Sequence, residues 1–65
     1  MMKRSDLASI YEQLQSVQRK IENYKHTETH LEINRLLKLV DAELLDALHN
    51  LEKLLEILDQ ESRYA

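Results

Sequence analysis

Apolar residues fall at Leu7, Ile10, Leu14, Val17, Ile21 and Tyr24 in the first half of the chain, at spacings that alternate three and four. The second half keeps the same alternation through Ile33, Leu37, Val40, Leu44, Ala47, Leu51, Leu54 and Leu58. Apolar side chains recurring every three or four positions return to one face of an α-helix. Each half therefore predicts an amphipathic helix with a heptad seam.

The two seams do not share a register. Continued forward, the first meets Glu28, Leu31, Arg35, Lys38 and Ala42, which are mostly polar. The second is displaced by two heptad positions, neither of the usual coiled-coil insertions of three or four. One continuous rod would carry its stripes on different faces, so a break is expected between residues 25 and 30. Thr29 followed by Glu32 has the spacing of a capping box, in which hydroxyl and carboxylate satisfy free backbone N–H groups. Thr27 is a competing cap there, and Ser5 or Asp6 can cap the first helix. The expected elements are helix 1 at about 6–25, a turn at about 26–29 and helix 2 at about 30–61.

Folding the chain back pairs Tyr24 with Ile33, Ile21 with Leu37, Val17 with Val40, Leu14 with Leu44, Ile10 with Ala47 and Leu7 with Leu51. Six layers match without a gap, as in an antiparallel αα-hairpin. The fold class is thus all-α, a two-helix hairpin over residues 1–65.

Helix 2 continues past Leu51, its last partnered leucine, with Leu54, Leu55, Ile57 and Leu58, while Leu48, Leu55 and Tyr11 widen the stripes. A strict pair of helices needs only a narrow seam, and wider stripes belong to bundles. Burying each large aliphatic side chain is worth about 1.5–3 kcal/mol, so a small domain loses much by leaving such a cluster wet. Leucine at the a position (Leu37, Leu44, Leu51, Leu58) with β-branched residues at d leans towards four-helix assemblies. The expected partner-binding residues are Tyr11, Leu48, Leu51, Leu54, Leu55 and Leu58. The expected occupant is a second copy, completing a four-helix bundle as a homodimer, or an amphipathic helix of another protein.

Composition narrows the choice. A chain of 65 residues holds one small domain, a size at which disulfides, a metal or oligomerisation usually supplement the core. Cysteine is absent, which removes disulfides and thiolate metal sites. Glycine and proline are absent too, which argues against tight hairpins and Gly-rich phosphate loops. Twelve acidic and nine basic residues leave a net charge of −3, no bulk attraction for nucleic acid. The charge is uneven, about +2 over residues 1–25 and −5 over residues 26–65, which favours the two halves lying side by side. The opening MMKRSDLASIYEQ has no apolar run behind its basic residues, so neither a signal peptide nor a membrane span is expected, and the reading is cytoplasmic.

Candidate chemistry is sparse. Residues 26–30, HTETH, rearrange the HExxH zinc-protease signature, but Glu28 lies two residues from each histidine and in a helix would point away from both. Asp46 and His49 approximate the E-x-x-H of di-iron bundles, yet both fall on the solvent side of the seam. Leu51, Leu54 and Leu55 form LxxLL, a pattern that a leucine-rich helix makes by chance. The leucine-zipper spacing lacks the continuous basic helix that a DNA-binding zipper requires upstream. No serine has a histidine at helical spacing. No catalytic residue, metal or cofactor is therefore assigned, and the chain reads as a non-enzymatic adaptor, chaperone or regulator.

Lys3, Arg4, Arg19 and Lys20 supply a basic face on helix 1, with Gln15 and Gln18 beside it. A dimeric hairpin carrying such a face resembles the plasmid copy-number RNA-binding hairpin at the level of fold. That resemblance implies an alternative role as a small RNA-binding regulator, with phosphate contacts from these four side chains. The chain is also similar in architecture to the needle-subunit chaperones of type III secretion, helical hairpins that sheathe a partner's helix.

Overall fold

A computed structural model of the chain describes residues 3–64, with side chains through residue 60. Helix α1 spans Arg4–Thr27 and helix α2 spans Leu31–Tyr64, packed together as a hairpin with extents of 52 × 17 × 15 Å.

Without glycine, the chain reverses with the help of side-chain caps, and no residue among those described has a positive φ. At the end of α1, Glu28 leaves the helix in an extended conformation (φ −73°, ψ 125°) while its N–H still donates to the Tyr24 carbonyl at 2.8 Å. Asn34, from the first turns of α2, donates its amide to the Lys25 and Glu28 carbonyls at 2.6 and 3.3 Å. These are carbonyls that a helix end otherwise leaves unpaired, so Asn34 takes over the work a C-terminal glycine cap does elsewhere. Thr27 Oγ1 donates back to the Asn23 carbonyl at 3.2 Å.

Helix α2 opens differently from the expected Thr29–Glu32 box. Its cap is His30, whose Nδ1 accepts from the Ile33 N–H at 3.4 Å, and the His30 N–H in turn donates to Glu28 Oε1 at 3.0 Å. The imidazole nitrogen sits where a serine or aspartate oxygen usually caps. At the other end of the hairpin, α1 begins two residues before the expected start. Lys3 precedes the first turn, and Asp6 accepts its N–H at 3.2 Å from the third helical position.

Near the turn the pairing follows the expected register. Gln18 bonds to Asp41 and Asn34 bonds to Lys25, within a residue of the predicted layers. Towards the open end Tyr11 and Arg4 reach Glu52 and Asp59, about five positions further along α2 than those layers. The rotation of the helices about their own axes is another matter. The side chains turned inward on α1 are Leu7, Tyr11, Leu14, Gln18, Ile21 and Lys25; those on α2 are Asn34, Leu37, Asp41, Leu44, Leu48, Leu51, Leu55 and Leu58. Both helices thus use heptad positions a and e where the apolar pattern predicts a and d. At 100° per residue this is a turn of about 50° on each helix.

Little of the hairpin is fully enclosed. Among the described residues the buried apolar side chains are Leu7 (4 % exposed) and Leu48 (7 %), matched by two buried polar ones, Gln18 (7 %) and Asp41 (5 %).

Candidate interaction face

The rotation leaves the large apolar residues at position d outside, with the small Ala47 half-buried among them. On α1, Ile10, Val17 and Tyr24 are 41, 46 and 61 % exposed; on α2, Ile33, Val40 and Leu54 are 47, 40 and 47 % exposed. In an antiparallel pair, positions rotated the same way from the contact line emerge on the same side of the hairpin. The two d stripes therefore form one apolar face. Between them lie the half-buried a residues Leu14, Ile21, Leu37, Leu44 and Leu51. Leu36 and Ile57, at the g position beside the α2 stripe, extend the face outward and are 56 and 50 % exposed.

The opposite side is mainly polar, although Leu31 and Leu45 are 85 and 49 % exposed there at position b. Gln18 Nε2 donates to Asp41 Oδ1 at 2.9 Å, and Lys25 Nζ pairs with Asp41 Oδ2 at 3.0 Å. Hydrogen bonds from Gln18 and then Lys25 hold the Asp41 carboxyl below its ordinary value. Burial opposes them, and the charges of Lys25 and His26 add to the lowering. Towards the open end, Tyr11 donates its hydroxyl to Glu52 Oε1 at 2.7 Å, a bond that raises the tyrosine's pKa. Arg4 pairs there with Asp59.

The sequence-derived contact residues divide between these sides. Leu54 lies on the open apolar face. Leu51 and Leu58 are half-buried beneath it at position a. Leu48 is enclosed within the hairpin, while Tyr11 and Leu55 occupy e positions along the polar side and are half-buried there. The face is instead carried mainly by Ile10, Val17, Tyr24, Ile33 and Val40, the residues that the simple seam assigns to the hairpin's own core. The available signal was the polar character of Gln18, Lys25, Asn34 and Asp41. All four stand at e, where Gln18 and Lys25 meet Asp41 and Asn34 meets the end of α1 across the hairpin.

Of the basic set, Arg4 is committed to Asp59, while Lys3, Arg19 and Lys20 are exposed. His30 is engaged in capping, and no three His, Asp or Glu side chains among the described residues converge as metal ligands. An open hollow of about 460 Å³ at the start of α2 is lined by His30, Leu31, Glu32 and Arg35, all exposed. No helix among the described residues is long and apolar enough to cross a membrane. The chain matches no known protein family, no curated protein and no solved structure.

Proposed function

We propose that this hairpin is a non-enzymatic protein-interaction module whose apolar face is completed by a second copy, giving a homodimeric four-helix bundle. Such a unit belongs with small adaptors, chaperones and regulators that work by displaying a helical surface. The observation that carries the reading is the pair of exposed d stripes on one side of a molecule that encloses little else.

Three features favour a second hairpin over a single foreign helix. One helix seated between α1 and α2 reaches the central a and d rows but leaves Leu36 and Ile57 wet on the outer edge, whereas a second pair of helices covers them. A face up to 52 Å long and 15–17 Å across is comparable to the roughly 800 Å² per partner that stable interfaces bury. The halves of opposite charge, about +2 and −5, also alternate around the bundle when α1 of each copy lies against α2 of the other. All neighbouring helices are then antiparallel.

Mass in solution tests the reading. The chain is expected to sediment at twice its own mass, and Ile10→Glu is expected to return it to the monomer. A monomer at high micromolar concentration, or a dimer indifferent to Ile10→Glu, would overturn it.

A further inference from the structure

Two pairs of sequence neighbours are arranged against expectation. Gln18 and Asp41 are 7 and 5 % exposed, whereas Val17 and Val40 beside them are 46 and 40 % exposed. Burying polar groups is costly unless their hydrogen bonds are made. Here they are made: among the described residues, no buried side-chain nitrogen or oxygen lacks a partner. Turning each helix about 50° the other way would nevertheless bring six large apolar d residues into the seam. It would do so at the expense of three at e, Tyr11, Leu48 and Leu55, a net gain in apolar side chains for a lone hairpin. The register would stay the same, the valines would enter the seam, and Gln18, Lys25 and Asp41 would move into water.

We infer that the Gln18–Asp41–Lys25 cluster is a rotational latch, holding both helices turned so that the apolar face is displayed to a partner and not closed on itself. The inference rests on that face being the assembly surface. The cluster suits such a role because its geometry is directional. Gln18 and Lys25 stand on successive heptads of α1 and approach the two oxygens of one carboxylate on α2, at 2.9 and 3.0 Å. Apolar packing tolerates a rotated alternative, but a carboxylate held on both oxygens does not. Buried polar groups are best attested in this capacity, selecting one arrangement among several of similar apolar content.

The test uses the absence of native cysteine. In a Val17→Cys background, thiol alkylation reports whether the d position is open. At concentrations low enough for the monomer, the parent thiol is expected to react fast. Adding Asp41→Ala is expected to slow it roughly tenfold, the protection of a side chain that has entered a packed seam, with the helical circular dichroism retained. Lys25→Glu, which sets a second carboxylate against Asp41, is expected to do the same. Unchanged alkylation in either folded variant overturns the latch. So does unfolding of both, since the alternative seam must then be unavailable. Raising the concentration of the Val17→Cys parent tests the assembly separately. Protection that grows with concentration supports the dimer. Its absence removes the face as an interface but leaves the low-concentration comparison of rotations intact.

Discussion

Asp41 is the residue at which the hairpin's chemistry is most concentrated. Its carboxylate is buried, accepts from Gln18 and Lys25, and is held below its ordinary pKa chiefly by the Gln18 hydrogen bond. A carboxyl whose folded value is depressed stabilises the fold fully above its unfolded value, and that stability is lost as pH falls through the folded value. With an unfolded value near 3.8, the thermal midpoint is expected to be flat at neutral pH and to fall below about pH 4. Asp41→Asn keeps the shape but not the charge. It is expected to lower the midpoint at pH 7 and to flatten the acid limb. Melting followed by circular dichroism from pH 2 to 7 checks this, and parallel curves for parent and variant would show that the acid response arises at other carboxylates. Leu7, the most enclosed apolar side chain at 4 % exposure, gives the apolar counterpart. Leu7→Ala is expected to cost about 2–3 kcal/mol in urea unfolding, the lower part of the range for core truncations, because a site near a helix end can relax.

At the scale of the helices, the turn is a mutual capping arrangement. Asn34 of α2 closes the carbonyls of α1, and Glu28 and His30 order the start of α2. Imidazole is a poor substitute for a short oxygen-bearing side chain at an N-cap, and its bond to Ile33 is long at 3.4 Å. His30→Asp is therefore expected to stabilise the chain by about 0.5–1 kcal/mol, adding both a cap oxygen and a negative charge at the positive end of α2. Asn34→Ala is expected to destabilise it by about 1 kcal/mol through the freed carbonyls. Denaturant midpoints read both, and a destabilising His30→Asp would show that the imidazole has a role beyond capping. These helix ends also mark what the sequence could convey. The seam broke where its register slipped, and six matched layers gave the antiparallel pairing, because apolar spacing reports directly on both. The sequence points to Thr29 as the cap on α2 where His30 caps instead, since hydroxyl residues are the commoner caps and nothing local marks a histidine as one. The rotation is hidden from the sequence for a stronger reason. Apolar spacing locates the centre of a stripe but not which of its edges faces the neighbouring helix. In a bundle one edge meets the hairpin partner and the other meets another molecule.

For the whole molecule, this ambiguity separates exposure from function. Leu39 is 54 % exposed and Val40 40 % exposed, yet they lie on different sides of α2. Leu39 stands at heptad position c, pointing away from α1 and away from the apolar face, while Val40 lies within the d stripe. If any exposed aliphatic residue served equally well for association, a lysine would matter at least as much at 39 as at 40. If the face formed by both helices is what a second copy covers, the substitutions separate sharply. Val40→Lys puts a charge into the interface twice per dimer, against a burial worth about 1.5–3 kcal/mol per aliphatic side chain when complete. Dissociation should therefore strengthen about 100-fold, or about 2.7 kcal/mol. The thermal midpoint should lose its dependence on protein concentration, because assembly stabilises a fold by RT ln(1 + c/Kd), which vanishes where the concentration c lies well below Kd. Leu39→Lys should leave both the dimer mass and that dependence as they are. Melting each variant over a hundredfold range of concentration distinguishes the cases. Equal behaviour of the two would mean that the hairpin's exposed leucines are not organised into a face, and the second copy would lose its place.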